Sequence, residues 1–335
     1  MAGSIEELLT RCVAAWYPGA CSVIGPTRLS GGASQETWSF DIVHPNGNVG
    51  AILRRAPPGY GAAPTRAAGL NAEARLMQLA HAAGVPSPEV LYVLRPQDEL
   101  GTGFVMRRVE GETIPRKILR DGQFADARVK LARQCGEILA RIHALPQAEL
   151  PKLRRMTPQT EIAQLDQEYR SFDRPRPVFE LALRWLRDHD PGPCAEATLV
   201  HGDFRHGNLI IGADGIRAVL DWELAHTGDP MEDLGWICVN SWRFGEIDKP
   251  VGGFGTREDL FAGYEAAGRR VEPGRVHFWE VMGTLRWGIM CCGMMQRFRL
   301  GPDHSLERAM IGRRSSETEI DLLRLLAPRG GADAG

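Results

Sequence analysis

Apolar positions along the chain follow two rhythms, and the change between them falls near residue 110. Upstream, residues 27–29 and 37–43 are rich in β-forming side chains and flank a short glycine-rich stretch, which predicts a hairpin. Pro45, Asn46, Gly47 and Asn48 mark a second turn, and residues 49–54 predict a third strand. Pro57, Pro58, Gly59 and Gly61 break the chain ahead of a helix expected over about 64–83, closed by Gly84 and Pro86. Residues 90–94 and 103–109 read as two more strands around a turn at Asp98 and Glu99. Residues 25–109 thus spell strand, strand, strand, helix, strand, strand, an antiparallel sheet carrying one main helix. An amphipathic helix near the N-terminus precedes it.

Beyond Glu110 and Gly111 the spacing turns helical. Leu131, Cys135, Ile138, Leu139 and Ile142 recur at three- and four-residue intervals, the stripe of an amphipathic helix over 124–144. Thr157 before Pro158 reads as a cap with proline at the first helical position, for a helix to about 169, and 178–188 predicts another. Residues 209–211 and 216–220 are short apolar strands joined by a turn containing Asp214 and Gly215. Thr256 caps a helix to about 267, an apolar helix covers 275–300, and a last one covers 317–326. The expected organisation is an N-terminal lobe over 1–109, a larger and mostly helical lobe over 110–330, and a frayed tail over 331–335.

Charge and composition remove whole classes of function. The 40 Lys and Arg residues are scattered among 42 Asp and Glu with no basic arm, so no nucleic-acid partner is expected. The most apolar region, 276–300, is interrupted by Glu280, Arg286 and Arg297, which leaves ten uncharged residues in a row. A membrane span needs about 20, so no membrane association is expected. Glu6, Glu7 and Arg11 stand where a secretory leader needs an apolar run. The seven cysteines lack CxxC spacing and read as reduced thiols of a cytoplasmic protein, a monomer or homodimer.

Chemistry concentrates in 198–233, TLVHGDFRHGNLIIGADGIRAVLDWELAHTGDPMED. His201, Gly202 and Asp203 are followed five residues past the Asp by Asn208, and a hairpin later by Asp221. In protein kinases one Asp receives the substrate hydroxyl proton, an Asn five residues later holds Mg²⁺, and a second Asp after a hairpin holds the ions that bridge the ATP phosphates. Hard oxygen ligands of this kind suit Mg²⁺. On average composition the His-Gly-Asp-x-x-x-x-Asn pattern arises by chance in about one chain in a thousand of this length. Leu-Asp-Trp-Glu after a hairpin makes the signature specific.

At these residues the chain resembles the aminoglycoside phosphotransferase and choline kinase family, small-molecule relatives of protein kinases. LVHGDFRHGNLII is similar to that family's catalytic loop and AVLDWELAHTGDPMEDLGW to its metal-binding segment. The second segment most resembles the subgroup containing the kinase domain fused to some animal acyl-CoA dehydrogenases, which acts on hydroxyacyl-CoA. The resemblance implies an α+β, two-lobed protein-kinase-like fold, with ATP and Mg²⁺ as cofactors. It makes Asp203 the catalytic base and Asn208 and Asp221 the metal ligands, with His201 bracing the loop and Asp229 and Asp233 as loop and helix-cap residues. Ser30, Gly31, Gly32, Ala33 and Ser34 match the phosphate-covering loop. Arg54 stands where kinases place a strand Lys, Glu73 is its helix partner, and 106–111, including Met106 and Arg108, is the hinge that holds adenine through backbone groups. Arg is a planar, permanently charged fork and can clamp phosphate; an Arg54–Arg55 pair on a solvated edge strand is the alternative. The acceptor is expected near Arg205, His206, Glu223, Trp242 and Arg286, with Glu223 open between a salt bridge and a substrate contact.

Two other classes compete. A metal-dependent hydrolase would gather His201, Asp203, His206, Asp221 and His226 around zinc or two metals, but leaves Asn208 without a task. A catalytically silent kinase-like binding module would explain the missing strand Lys, but has no chemical need for Asp203, Asn208 and Asp221 together. The expected function is therefore Mg²⁺-dependent transfer of the ATP γ-phosphate to a hydroxyl of a small molecule. Arginines outnumber acids over 236–300, which favours a neutral or anionic acceptor, such as a hydroxyacyl-CoA, over an aminoglycoside.

Overall fold

A computed structural model describes residues 4–20, 22–29, 35–58, 66–172, 174–301 and 304–327. Helix α1 (Ile5–Trp16) opens on a reciprocal cap, in which the Ser4 hydroxyl accepts the Glu7 N–H and the Glu7 carboxylate accepts the Ser4 N–H. Five strands follow, interrupted by one helix: β1 (Ser22–Leu29), β2 (Glu36–Val43), β3 (Val49–Ala56), α2 (Leu70–Ala82), β4 (Val90–Val93) and β5 (Thr102–Arg107). They form one antiparallel sheet in the order β1-β2-β3-β5-β4. Successive side chains of a strand face opposite sides, and β5 shows the result. Val105 joins Leu53, Phe40, Ile42 and the α1 residues Leu9, Cys12 and Val13 in one core, while Phe104 joins Ala74, Met77 and Ala80 of α2 in the other. Arg54 pairs in register with Phe104, so it lies on the α2 face. The helix expected from about residue 64 begins at Leu70, behind Gly69 at φ 86°.

The rest of the chain is mainly helical. It runs α3 (Pro115–Arg120), α4 (Ala125–His143), α5 (Pro158–Arg170) and α6 (Pro177–Asp188), then β6 (Thr198–Val200), β7 (Leu209–Gly212), β8 (Gly215–Val219) and β9 (His226–Gly228). Helices α7 (Met231–Cys238), α8 (Arg257–Ala266), α9 (Pro273–Leu300), α10 (Leu306–Gly312) and α11 (Ser315–Leu326) complete it. Strands β7 and β8 make the expected hairpin, and β6 pairs antiparallel with β9. Thr157 and Thr256 cap α5 and α8 as the sequence predicts. The pattern does not announce α3, α10, β6 or β9, which are too short to show a period. Helix α9 is the axle of this half, with Val276, Phe278, Trp279, Val281, Met282, Leu285 and Ile289 all buried. Among the described residues no helix is long and apolar enough to cross a membrane. An α+β, two-lobed architecture results, with the sheet in one lobe and the helices in the other.

Candidate active site

The loop after β6 is shaped by one glycine and one buried carboxylate. Gly202 adopts φ 80°, and a Cβ there would lie 2.6 Å from the Leu224 carbonyl oxygen, so a side chain is excluded on both counts. Asp233 accepts the N–H groups of His201 at 2.8 Å and Gly202 at 2.9 Å, and its Oδ2 lies 3.0 Å from His143 Nε2. It lies inside α7 and ties down this loop, so the expected helix-cap role is corrected. Asp229, in the loop just ahead of α7, accepts the Met231 N–H at 3.0 Å and Arg275 Nε at 2.7 Å. His201 accepts the Asp203 N–H on Nδ1 at 3.2 Å, which leaves Nε2 to donate to the Leu220 carbonyl at 3.1 Å. Burial lowers the His201 imidazole below its ordinary value, against the pull of Asp233, Asp203 and Asp221. His201 is a neutral brace.

Four hydrogen bonds converge on the Asp203 carboxylate. Asn208 Nδ2 donates to Oδ2 at 2.7 Å, Trp236 Nε1 to Oδ1 at 2.9 Å, and Arg205 Nε to both oxygens at 3.1 and 3.2 Å. The Leu220 N–H donates to the Asn208 carbonyl at 2.8 Å, so His201 and Asn208 together pin the residue before Asp221. Asp221 then adopts a left-handed conformation, φ 64° and ψ 65°, unusual for a non-glycine residue and a mark of imposed local geometry.

Arg54 crosses from the sheet to this point. Its Nη2 lies 2.9 Å from Asp221 Oδ1 and 3.3 Å from Glu223 Oε2, and its Nε lies 3.3 Å from Glu73 Oε2 and donates to Gln35 Oε1 at 2.9 Å. The side chain is only 17% exposed, so it is no solvated edge residue. Burial works against its charge, but Glu73, Asp221 and Glu223 outweigh that and hold it above the usual guanidinium value. Burial likewise pushes the Glu73 carboxyl up to about 7 despite Arg54, and raises Glu223, which Asp221 reinforces. The buried Glu73 Oε1 has no hydrogen-bond partner among the described residues. Among the described residues, the cations paired with Asp203, Asp221, Glu223 and Glu73 here are Arg54 and Arg205. This excess of hard oxygen donors fits a divalent cation such as Mg²⁺.

Other expected site residues lie elsewhere. Ser30, Gly31, Gly32, Ala33 and Ser34 fall outside the described residues. Met106 is half-buried on β5 against the α2 side of the core. The Arg108 N–H donates to the Gly50 carbonyl at 2.9 Å and its guanidinium binds Asp41 at 2.7 Å, so its side chain ties the sheet. His206 is fully buried, with Nδ1 2.7 Å from the Gly252 carbonyl and Phe244 and Phe254 against its ring, so it is packing and not acceptor lining. Arg286 is buried on Glu232 at 2.9 Å and reaches the Gly202 carbonyl at 3.4 Å; its partner is a protein carboxylate. Trp242 is 4% exposed, and the Arg205 guanidinium stacks over its ring at 5.0 Å. The hydrolase arrangement does not form, because His206 faces Gly252 and His226 faces Leu224 and Glu232. Among the described residues no three His, Cys, Asp or Glu side chains cluster to hold a metal by themselves, so a Mg²⁺ here would need nucleotide phosphates to complete its shell. Trp236 was missed. Its only signal is that it lies three residues after Asp233, on the same helix face.

A two-lobed α+β fold in which Arg54 of the sheet binds Asp221, itself next to the Leu220 that bonds to Asn208, is of the protein-kinase kind. The chain belongs to the phosphotransferase enzyme family (APH), whose profile matches residues 26–271. ATP and Mg²⁺ are the cofactors that accompany this membership. Acyl-CoA dehydrogenase family member 11 of Gallus gallus is 30% identical over 248 residues, 70% of this chain and 30% of that protein. The chain thus spans under a third of the length of that relative. A Ralstonia eutropha protein assigned as an aminoglycoside phosphotransferase superposes with a TM-score of 0.73 at 21% identity, covering 95% of this chain and 97% of the other. Aminoglycoside phosphotransferase APH(4)-Ia, in ternary complex with AMP-PNP and hygromycin B, gives 0.60 at 19% identity over 98% and 100%. At such identities these two structures establish the fold alone.

Proposed function

We propose that the protein transfers the ATP γ-phosphoryl group to a hydroxyl of a neutral or anionic small molecule, with a hydroxyacyl-CoA preferred over an aminoglycoside. The observation that supports this is the Leu220 clamp: its N–H donates to the Asn208 carbonyl and its carbonyl accepts His201 Nε2, which ties the residue before Asp221 to the loop that carries Asp203 and Asn208. Asp203 accepts the proton of the acceptor hydroxyl, whose oxygen bonds to the γ-phosphorus as the bond to ADP breaks. Asn208 and Asp221 would hold Mg²⁺, which would neutralise charge on the phosphates. Arg54, oriented by Glu73, supplies a fixed positive fork to the phosphates. In-line transfer depends on positioning and charge more than on covalent chemistry, and this site offers both.

The acceptor preference rests on Arg205 and on the acyl-CoA name of the relative, not on the overall arginine excess. Arg243 and Arg257 bind Glu280, Arg275 binds Asp229 and Arg286 binds Glu232, so those charges are satisfied internally. Arg205 remains beside Asp203, 27% exposed, against the Trp242 ring. A cation on an apolar wall suits an acceptor with an apolar body and a carbonyl or anionic group, and repels a polycation. The test is an ATP-consumption screen against aminoglycosides, amino alcohols, sugars and hydroxyacyl-CoAs, with Asp203→Asn as control. Asp203→Asn is expected to lower turnover at least about 1000-fold while ATP still binds. Full turnover in that variant would remove Asp203 from the role of base, and an aminoglycoside as best acceptor would overturn the preference.

A further inference from the structure

The carboxylate of Asp203 is gripped by a side chain that lies outside the His-Gly-Asp loop. Trp236 sits one helical turn beyond Asp233 on α7, so both face that loop. Asp233 fixes the loop backbone through the N–H groups of His201 and Gly202, and the Trp236 indole N–H fixes the Asp203 side chain at 2.9 Å. The Trp236 ring is 3% exposed and confined by its surroundings. The Arg286 guanidinium carbon lies 4.0 Å from the ring centroid, and Arg286 is itself anchored on Glu232. Across from it, α9 leaves room with Gly283, where a Cβ would lie 2.9 Å from Trp236 Cε3.

A carboxylate has about four lone-pair sites to fill. Trp236 and Asn208, both buried, take one on each oxygen from the inside. Arg205, at 27% exposed the least buried of the three donors, spans both oxygens and fills the remaining sites, which an acceptor hydroxyl would have to take over. We propose that Trp236 is the positioning residue of the transfer base, locking the rotation of the Asp203 carboxylate so that its outward edge meets the acceptor hydroxyl. An indole N–H suits this task because it orients without adding a positive charge, which would weaken the base more than a neutral donor does. The stack of Arg286 on the ring extends the lock to the loop backbone, because the same guanidinium reaches the Gly202 carbonyl. This inference rests on reading Asp203 as the base.

The test combines an NMR signature with steady-state kinetics on the full chain. In an indole ¹H–¹⁵N correlation spectrum of the eight tryptophans, the cross-peak lost in Trp236→Phe is assigned to Trp236. That peak is expected to shift in Asp203→Ala more than any other indole peak. With the acceptor found by the screen, Trp236→Phe, which keeps a ring under Arg286, is expected to lower kcat about 10- to 100-fold with KM for Mg-ATP unchanged. Gly283→Ala, which displaces the ring and keeps the N–H, is expected to shift the same peak and lower kcat less. A Trp236 peak indifferent to Asp203→Ala, or Trp236→Phe kcat within twofold of wild type, overturns the proposal. A rise in KM matching the fall in kcat does so as well, since it signals general loss of packing. Full turnover by Asp203→Ala instead sinks the base assignment and leaves the measured Trp236–Asp203 contact standing.

Discussion

Glu73 shows how a buried partner sets both the aim of Arg54 and its own proton affinity. Its carboxyl is 1% exposed, and burial pushes it from 4.5 up to about 7 against the attraction of Arg54. Between those pH values the folded chain keeps a proton that the unfolded chain has released. The contribution of this group to stability is therefore full below about 4.5 and declines as the pH rises toward 7, opposite in sign to an ordinary paired carboxylate. Glu73→Gln keeps the shape and removes the titration. Relative to wild type it should gain stability from pH 5 to pH 8, by up to about 3 kcal/mol, as read from urea midpoints. A gain that vanishes or reverses would make Glu73 a plain ionic partner of Arg54. Residue identity alone pointed to Arg54 and Glu73, but the raised proton affinity of Glu73 comes from burial, and that of Arg54 from the acids gathered around it, neither of which a local motif displays.

The helix crossings carry the site and are the part least legible beforehand. Helix α4 was readable from its apolar stripe, yet Gly136 within it looked only like a weak helix former. In the fold, a Cβ on Gly136 would run into the Leu260 carbonyl and lie 2.6 Å from the Tyr264 nitrogen, both backbone atoms of α8. That close approach sets Tyr264 Oη 2.9 Å from His143 Nδ1, and His143 Nε2 3.0 Å from Asp233, which holds the loop before Asp203. Gly136→Ala should therefore cost about 3 kcal/mol in urea unfolding and lower kcat as well, whereas Gly122→Ala, with open space around it, should be near neutral. Equal stability of the two variants would mean that the helices separate without cost. The same logic explains the misplaced substrate residues. His206 and Arg286 looked chemically available because sequence shows polarity and not direction, and only the packing of α9 and the 244–254 segment turns them inward. The Asp–Asn–Asp set was legible because its spacing is local; Trp236 was not, because its bond to Asp203 spans 33 residues.

Across the whole molecule, the sheet and the helical half meet at a few polar ties. The Ala68 N–H donates to the Glu223 carbonyl at 2.7 Å and the Val219 N–H to the Pro86 carbonyl at 2.7 Å. Arg54 is a charged tie between the halves, as is Arg66 on Glu161 at 3.2 Å, and Arg54 rests on Asp221 Oδ1, an oxygen the proposed function needs for Mg²⁺. A lone cation approaching that oxygen meets a guanidinium already there, while nucleotide phosphates offer Arg54 another partner and draw it off. Mg²⁺ and ATP should therefore stabilise the chain jointly and not separately. At about 100 times Kd a bound ligand adds about 2.7 kcal/mol, worth about 5 °C in a protein of this size. The expected thermal shifts in wild type are about 5 °C for Mg-ATP, reversed by EDTA, and under about 1 °C for Mg²⁺ alone. Arg54→Met should invert the order, gaining a response to Mg²⁺ alone and losing most of the response to Mg-ATP. If Mg²⁺ alone shifts wild type as far as Mg-ATP does, Arg54 does not compete for Asp221, and the two halves are joined there by packing alone.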